Sequence, residues 1–389
     1  MALTIGIPRE TAAGETRVSM VPGVAERLLK MNDGLDVVVE TGAGEHAYHD
    51  DSDYEAAGCR VAERDEVLSA DVVTKVAPPT DDELSVFSEG QVVIGLLDPL
   101  GRAEAAQTMA DAGVTALAME LVPRISRAQS MDALSAMSSI GGYRAAIRAA
   151  DQLPKFFPLL TTAAGTVKPA RVLVLGAGVA GLQAIATAKR LGAKVFGYDI
   201  REPTREEVES LGAKFVELEV DIDGDQDESG YAEKLEKEKQ ERQPELLKPH
   251  IAEADVVIST ALIPGQPAPL LINENAVEAM DPGSVIMDLA APNGGNCAHT
   301  QADETVVEDR VQIIGPTNLP AEMPVDASQL YAKTISSMIE EFLDDGAFVP
   351  DFDDDIFDGA CLTHDGAVHN DRVRGLLEED SDEKEAVGE

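Results

Sequence analysis

Short apolar, β-branched runs alternate with helical stretches along nearly the whole chain, and this alternation constrains the fold more than any other feature. The predicted strands are Leu3–Ile7, Val37–Glu40, Val72–Val76, Val92–Leu96, Thr115–Met119, Arg171–Leu175, Lys194–Tyr198, Val256–Thr260, Val285–Leu289 and Val311–Ile314. Segments such as Gly23–Met31, Arg102–Ala112 and Gly181–Leu191 lie between them and carry apolar residues at helical spacing. Such alternation is typical of an α/β protein whose parallel sheets are covered by helices on both faces.

The predicted strands fall into two series of five, which indicates two doubly wound domains. A long helical pattern, Ser130–Pro154, joins the series, and Gly141 and Gly142 permit a close approach of another element. A second pattern, Ala327–Phe342, is followed by no further strand series, so we expect the chain to return to the first domain there. We predict a first domain of residues 1–134 plus 321–389 and a second domain of residues 135–320, with a ligand cleft between them.

The segment Arg171–Gly181 reads RVLVLGAGVAG and contains G-x-G-x-x-G at Gly176, Gly178 and Gly181. A predicted strand precedes these glycines and a predicted helix follows them, which is the context of a dinucleotide site in a Rossmann-like domain. The first glycine makes a tight turn, the second lets the backbone approach a pyrophosphate, and the third allows close helix–strand packing. The alternative, a glycine-rich turn without a ligand, does not account for this context.

The next predicted strand ends at Asp199, 18 residues beyond Gly181. A carboxylate at this place accepts hydrogen bonds from the adenosine ribose and repels a 2′-phosphate. Arg201 complicates this prediction, because a nearby guanidinium could neutralise a 2′-phosphate. We expect NAD(H) to be preferred over NADP(H).

Acidic residues far outnumber basic ones, with 72 Asp+Glu against 31 Lys+Arg and a formal net charge of −41. Such a surface repels phosphate backbones and anionic lipids, so the charge argues against nucleic-acid binding. Two explanations compete: an acidic interaction tail, or carboxylates spread over a surface adapted to a salt-rich cytoplasm. The carboxylates run from Glu10 to Glu389 without one dominant block, which favours the second explanation and a halophilic source.

No metal site is predicted. The cysteines have no C-x-x-C spacing and lie far apart, at Cys59, Cys297 and Cys361, so they signal neither zinc nor a disulfide framework. Asp221, Asp223 and Asp225 match the first three ligand positions of an EF-hand loop. The sixth and twelfth positions are then Gln226 and Ala232 instead of Gly and Glu, so the motif fails.

Neither a signal peptide nor a membrane span is predicted. The N-terminus MALTIGIPRE lacks a basic region followed by an apolar stretch. Two uncharged runs, Val172–Ala188 and Val256–Asn273, approach the length of a span. The first contains the glycine motif and the second contains three prolines, so we expect no direct membrane insertion.

Two stretches connect the chain to a known family. The N-terminal I-G-I-P-R-E-T and E-T-R-V-S-M-V-P and the later G-A-G-V-A-G-L-Q-A resemble a signature shared by alanine dehydrogenases and the NAD(H)-binding alpha subunit of proton-translocating NAD(P) transhydrogenase. The resemblance covers nearly the whole chain. It does not by itself decide between these two branches.

The alanine dehydrogenase branch needs proton transfer, and its pattern places a His and an Asp where this chain has Leu97 and Pro292. A leucine and a proline cannot act as acid or base. The branch's substrate-binding Arg and Lys have counterparts in Arg17 and Lys75. We interpret these two as inherited scaffold held in structural ion pairs.

The transhydrogenase branch is marked by Met119–Asp132, which reads MELVPRISRAQSMD and is called here the Arg–Gln–Asp loop. The resemblance assigns catalytic roles to Arg124, Gln129 and Asp132, and to Ser135 one turn further on. A structural alternative makes Arg124 and Asp132 a simple salt bridge at a helix start.

The resemblance also implies cofactors and partners. The implied NAD(H)-binding residues are Gly176, Gly178, Val179, Ala180, Gly181, Asp199, Ile200, Arg201, Thr260, Ala261 and Leu262. In the family, hydride passes directly from NADH to NADP⁺, which is bound on a separate beta subunit. The implied assembly is a homodimer on the cytoplasmic face of the cell membrane, with the membrane subunits and the NADP(H) domain on other chains. An alanine-type amino-acid dehydrogenase and a non-enzymatic NADH-binding module remain as alternatives.

Overall fold

The computed structural model describes residues 2–32, 34–218, 231–263, 265–344 and 346–387, without the side chains of residues 231–241 and 380–387. Asp221, Asp223 and Asp225, tested above as calcium ligands, lie outside the described residues. The chain divides into two compact units. The first unit is Met1–Met137 with Pro320–Glu389, and the second unit is Ser138–Leu319.

The described residues form nineteen strands: β1 Leu3–Ile7, β2 Leu35–Glu40, β3 Arg60–Ala62, β4 Val72–Thr74, β5 Val92–Gly95, β6 Thr115–Ala118, β7 Leu160–Thr162, β8 Gly165–Val167, β9 Arg171–Leu175, β10 Lys194–Tyr198, β11 Lys214–Phe215, β12 Val256–Ser259, β13 Val285–Asp288, β14 Thr305–Glu308, β15 Val311–Ile314, β16 Leu343–Asp344, β17 Ala347–Phe348, β18 Cys361–His364 and β19 Ala367–Val368. All ten predicted strands are among them.

The α-helices of the same residues are α1 Pro22–Met31, α2 Asp51–Ala56, α3 Arg64–Leu68, α4 Asp81–Leu84, α5 Ala103–Asp111, α6 Ala133–Gln152, α7 Val179–Arg190, α8 Thr204–Ser210, α9 Tyr231–Ala252, α10 Glu274–Glu278, α11 Pro324–Glu341, α12 Asp355–Ala360 and α13 Asp371–Val387. The helix predicted from Ser130 begins three residues later, because residues Ser126–Met131 form a 3-10 turn.

The sheet of the first unit has the order β19-β18-β6-β5-β4-β1-β2-β3. Strands β1 to β6 are parallel and run in the doubly wound order 3-2-1-4-5-6. The chain returns to this sheet after residue 320, where β18 pairs antiparallel with β6 and β19 pairs with β18.

The sheet of the second unit has the order β11-β10-β9-β12-β13-β15-β14, and β14 is its antiparallel strand. The chain winds outward from β9 to β10 and β11, then crosses to β12 on the other side of β9. The carboxyl ends of β9 and β12 therefore mark the topological switch point, where ligands bind in sheets of this type. The predicted class of two doubly wound α/β domains is confirmed by these two sheets.

Apolar side chains on both faces of β9 explain why helices cover this sheet on two sides. Val172 and Val174 are buried with side chains of α7, whereas Leu173 and Leu175 are buried with side chains of α9. Successive residues of a strand point to opposite faces, so a strand that is apolar throughout needs a partner on each face. This packing fixes the direction in which β9 delivers the chain to the switch point.

The cysteines are buried and carry free thiols, at Cys59, Cys297 and Cys361. Within the described part of the chain, no group of three or more His, Cys, Asp or Glu side chains could hold a metal ion. No helix of the described residues is long and apolar enough to cross a membrane.

Candidate functional site

The turn after β9 is built on Gly176, whose φ of +92° lies in the left-handed region. A residue with a Cβ is strained there, so glycine is the residue that lets the chain turn tightly. The Gly176 N–H donates to the carbonyl of Tyr198 at the end of β10, at 2.8 Å. The turn is thereby fixed to the neighbouring strand.

The other two glycines have different surroundings. A Cβ at Gly181 would lie 1.8 Å from the Gly176 carbonyl oxygen, whereas a Cβ at Gly178 would meet nothing within 4 Å. Gly181 thus permits close packing, and Gly178 caps α7 beside open space without a side-chain cap. The free N–H groups of a helix N-terminus suit an anion, so this end of α7 fits a dinucleotide pyrophosphate.

Helix α6 approaches this turn closely within the second unit. A Cβ at Gly142 would lie 2.0 Å from the Ala180 carbonyl oxygen, while one at Gly141 would meet nothing. The predicted close approach therefore belongs to Gly142 alone.

Asp199 follows β10 and is tied to the same turn. Its Oδ2 accepts a hydrogen bond from the Ala177 N–H at 2.7 Å, and its Oδ1 accepts one from the Arg201 N–H at 2.9 Å. The Arg201 side chain donates from Nε to Oδ1 and from Nη2 to Oδ2, each at 2.9 Å. Burial alone would raise the pKa of Asp199, but these hydrogen bonds outweigh it and leave the pKa below its usual value. Asp199 is therefore an ionised carboxylate beside the glycine turn.

Thr260 brings the end of β12 to the same place. Its hydroxyl donates to the Gly176 carbonyl at 3.1 Å, across the switch point. Asn296 fixes the loop that follows: its Oδ1 accepts from the Ser259 hydroxyl at 2.6 Å and from the Ala261 N–H at 3.2 Å. Its Nδ2 donates to the carbonyls of Ala261 and Pro269, at 2.9 Å and 2.8 Å.

Asn296 is in turn held by a buried carboxylate at the end of β13. Asp288 Oδ2 accepts from the N–H groups of Asn296 and Cys297 at 2.7 Å and 3.0 Å, and from the Thr300 hydroxyl at 2.6 Å. Burial raises the pKa of Asp288, although these hydrogen bonds oppose the shift. Asp288 and Asn296 shape the site without having been predicted as part of it. The G-G-N segment and an Asp at a strand end were the signals that could have found them.

Three of the predicted site residues, Val179, Ile200 and Leu262, are exposed apolar side chains. Each follows a strand or opens α7 at the carboxyl edge of the second sheet. Exposed aliphatic side chains at such an edge provide surfaces that aromatic rings of a ligand can cover. Together with the polar contacts above, the structure gathers the predicted residues after β9, β10 and β12 at one edge of the second unit.

In the first unit, the remaining predicted residues lie in the Arg–Gln–Asp loop and, for Ser135, in the first turn of α6. The Asp132 carboxylate accepts from the Ser135 N–H at 2.8 Å and from its hydroxyl at 2.6 Å, and so caps the start of α6. Arg124 and Gln129 are exposed. Among the described residues, Arg124 forms no ion pair with Asp132, so the structural salt bridge considered above is not present.

An arginine that the sequence reasoning passed over anchors this loop. Arg127 Nη1 lies 2.5 Å from Glu341 Oε1 of α11, and its Nη2 lies 2.6 Å from Asp354 Oδ2. Ala128 and Met131 of the same 3-10 turn are buried. The loop is thus held at its middle while Arg124 and Gln129 stay free to contact a ligand.

Comparison with known proteins decides the family. Residues 6–141 match the alanine dehydrogenase/PNT N-terminal domain, and residues 145–371 match the C-terminal domain of the same family. The chain belongs to the alanine dehydrogenase/PNT family.

Within this family, the transhydrogenase subunits are more similar to the chain than the dehydrogenases. The first part of the NAD(P) transhydrogenase alpha subunit of Rhodospirillum rubrum is 43% identical over 383 residues, which cover 96% of this chain and 99% of the relative. Alanine dehydrogenase of Bacillus subtilis is 33% identical over 299 residues, covering 75% and 72%. The crystal structure of transhydrogenase from Sinorhizobium meliloti matches with a TM-score of 0.84 at 43% identity, covering 94% of this chain and 99% of that one. The resemblance inferred from the motifs is confirmed, and an oxidoreductase role is supported.

The two positions that distinguish the branches hold no proton-transfer groups. Leu97 is buried among apolar side chains of the first unit, and Pro292 is exposed after β13. Neither side chain can ionise.

The two basic residues inherited from the family pattern are engaged in ion pairs within the first unit. Arg17 Nη2 lies 2.6 Å from Glu15 Oε2. The buried Lys75 Nζ lies 2.9 Å from Glu10 and 2.8 Å from Glu83. Burial raises the pKa of Glu10 although Lys75 opposes it. These contacts agree with the structural role predicted for both residues.

Proposed function

We propose that the chain is the NAD(H)-binding alpha subunit of a proton-translocating NAD(P) transhydrogenase. It passes hydride directly between the NAD(H) that it binds and NADP(H) bound on a partner beta subunit, and separate membrane subunits couple this transfer to proton translocation. One observation carries the proposal. The glycine turn and Asp199 are assembled for a dinucleotide, whereas Leu97 and Pro292 replace the groups needed for amino-acid chemistry.

The second unit supplies the binding residues. The start of α7, including Val179, Ala180 and Gly181, offers N–H donors to the pyrophosphate. Asp199 accepts from the adenosine ribose, and Ile200 and Leu262 present apolar surface to the rings. Thr260 and Ala261 hold the switch point in shape through their contacts with Gly176 and Asn296.

The first unit supplies the residues that orient the reacting end. Bound NAD(H) supplies or accepts hydride at C4 of the nicotinamide, and this transfer between two such rings requires no acid or base. The chain must instead position the ring and exclude water. The exposed Gln129 amide and Arg124 guanidinium can hydrogen-bond the nicotinamide end, while Asp132 is kept in place by Ser135.

We also propose that the subunit is a homodimer, attached peripherally to the cytoplasmic face of the cell membrane through its partners. Apolar side chains around the β7–β8 hairpin support self-association. Phe156, Leu159 and Val167 are exposed there, and in the described part of the chain the two strands pair with each other and with no larger sheet. Exposed apolar side chains grouped in this way are typical of interaction surfaces.

Replacing Gln129 by alanine tests the proposed role of the Arg–Gln–Asp loop. With the NADP(H)-binding subunit added, we expect the rate of hydride transfer to an NADP⁺ analogue to fall by roughly two orders of magnitude, because a misplaced ring loses near-attack geometry. The Kd for NADH, measured by fluorescence titration, should change by less than about threefold. Gln107→Ala is the control, since Gln107 is also exposed in the first unit and its side chain donates to Asp111 of its own helix.

Three outcomes would count against this proposal. An equal loss of NADH affinity and transfer rate in Gln129→Ala would mean that Gln129 serves binding alone. Binding of NADH by the unaltered chain without any hydride transfer would favour the non-enzymatic module. Oxidative deamination of alanine by the purified chain would favour the dehydrogenase branch.

A further inference from the structure

The carboxylate of Asp199 has no hydrogen-bonding capacity left for another donor. Each of its oxygens already accepts two hydrogen bonds, from the Ala177 N–H and Arg201 Nη2 on Oδ2 and from Arg201 N and Nε on Oδ1. A carboxylate oxygen offers two lone-pair sites. A ribose hydroxyl that donates to Asp199 must therefore replace one of these four donors.

The four donors differ in how readily they can leave. The N–H groups of Ala177 and Arg201 are fixed by the backbone that forms the turn. The Arg201 side chain is the mobile partner: it is 60% exposed, while that of Asp199 is 7% exposed. A released guanidinium is solvated by water, and the ribose hydroxyl takes its place as a donor to the carboxylate.

We propose that Arg201 is a specificity-determining residue that competes with the adenosine ribose for Asp199 and, once displaced, provides a cation for a 2′-phosphate. The inference rests on the proposed binding of NAD(H) at this turn. Because Arg201 must leave first, the apparent Kd for NAD(H) equals the intrinsic Kd divided by the fraction of molecules in which the carboxylate is free of Arg201. NADP(H) is favoured in the same step, since its 2′-phosphate meets a guanidinium that forms bidentate contacts with such groups.

The competition predicts opposite effects on two cofactors. In Arg201→Gln, we expect the Kd for NADH to fall about threefold and the Kd for NADPH to rise about threefold, so the ratio of the two changes about tenfold. Equilibrium titration with adenosine and with adenosine 2′-phosphate should show the same divergence. Adenosine has no phosphate, so its tighter binding cannot come from a change in attraction to the pyrophosphate.

A second substitution at Arg201 separates the bidentate geometry of the guanidinium from its positive charge. Arg201→Lys keeps the cation and loses the bidentate contact, so NADH should bind more tightly while NADPH affinity stays near that of the unaltered chain. Arg205→Gln is the matched control. Arg205 lies four residues further on, in α8, and is ion-paired with Glu202 and Glu217. Its replacement should leave the NADPH-to-NADH ratio unchanged.

The outcomes distinguish this inference from the proposed function. If the unaltered chain binds neither NADH nor adenosine, the proposed function fails. If it binds NADH and Arg201→Gln weakens NADH and NADPH equally, or changes neither, the competition is refuted and Arg201 serves only the turn. The same change of ratio in Arg205→Gln would show a general charge effect and would also refute it.

Discussion

At the glycine turn, the space around single atoms decides which substitutions the fold tolerates. A Cβ at Gly181 would overlap the Gly176 carbonyl at 1.8 Å, and a backbone atom cannot move aside without moving β9 or α7. A Cβ at Gly178 would enter open space, and the φ of −79° at this residue suits any amino acid. A substitution at Gly181 should therefore affect stability, whereas a substitution at Gly178 should affect cofactor binding.

We expect Gly181→Ala to lower the free energy of unfolding by about 2–3 kcal/mol, as overpacking against fixed neighbours does. Gly178→Ala should leave the free energy of unfolding unchanged within about 0.5 kcal/mol. It should weaken the binding of NADH at least tenfold, because the new methyl group occupies the space beside the helix N-terminus. Chemical denaturation and NADH titration of both variants measure the two effects. Equal NADH affinity of Gly178→Ala and the unaltered chain would contradict the placement of the pyrophosphate.

The sequence predicts the site residues that lie close together in one strand–turn–helix unit. It does not predict those whose role depends on contacts with residues far along the chain. Gly176, Gly181 and Asp199 were predicted because a strand–turn–helix unit fixes their relation to one another. Asn296 joins the loop after β12 to Pro269 and to Asp288, and no sequence spacing reveals that its amide faces two carbonyl groups. Buried polar networks of this kind depend on the tertiary fold.

Among the elements, the Arg–Gln–Asp loop depends on helices that follow it by more than two hundred residues. Arg127 connects its 3-10 turn to Glu341 of α11 and to Asp354, which also caps α12 through the Ile356 N–H at 2.8 Å. Burial alone would raise the pKa of Asp354, but the hydrogen bond and charge of Arg127, together with backbone N–H donors, outweigh it and hold the pKa below its usual value. The position of the loop thus depends on the part of the chain that returns to the first sheet.

Arg127→Gln removes this connection. We expect hydride transfer with the partner subunits to fall by roughly tenfold while the Kd for NADH changes little, because a loop that shifts by a fraction of an ångström loses alignment of the ring. Arg60→Gln is a close control: Arg60 also bridges two carboxylates, Asp36 and Glu66, and its side chain is 49% exposed against 48% for Arg127. Similar losses in both variants would show that the effect is not specific to the loop.

The strands that the sequence did not predict are short or lie near sheet edges. β3, β11, β14 and β19 are such edge strands, and β18 becomes a strand through antiparallel pairing with β6. An internal strand of a parallel sheet is apolar on both faces and is visible in the sequence, whereas an edge strand of two to four residues depends on its neighbour. The predicted start of α6 at Ser130 lies three residues too early, since the carboxylate of Asp132 caps the helix.

For the molecule as a whole, the net charge of −41 sets the conditions under which an anionic cofactor can approach. The repulsion extends over a Debye length, about 10 Å at 0.1 M salt and about 3 Å at 1 M. Self-repulsion of the carboxylates also opposes folding when salt is low. We propose that the acidic surface is an adaptation to a salt-rich cytoplasm.

This proposal predicts that NADH binding persists in molar KCl and weakens when the salt is removed. Titration between about 0.05 M and about 2 M KCl, a range over which screening changes strongly, should give the tightest binding at the high end. Adenosine, which is uncharged, serves as the comparison: its affinity should vary less than that of NADH while the chain stays folded by circular dichroism. Tighter NADH binding at low salt would remove the argument for salt adaptation.

The buried thiols have a practical consequence. Burial raises the pKa of Cys59 and Cys361 to about 12 and that of Cys297 to about 11, so near neutral pH none of them is a reactive thiolate. Maleimide and thiol-directed spin-label reagents are electrophiles that react with the thiolate form. A single cysteine introduced at an exposed position, such as 124 or 129, would therefore be the one labelled, without removal of the native residues. The unaltered chain can therefore serve as the starting protein for site-specific labelling of the Arg–Gln–Asp loop.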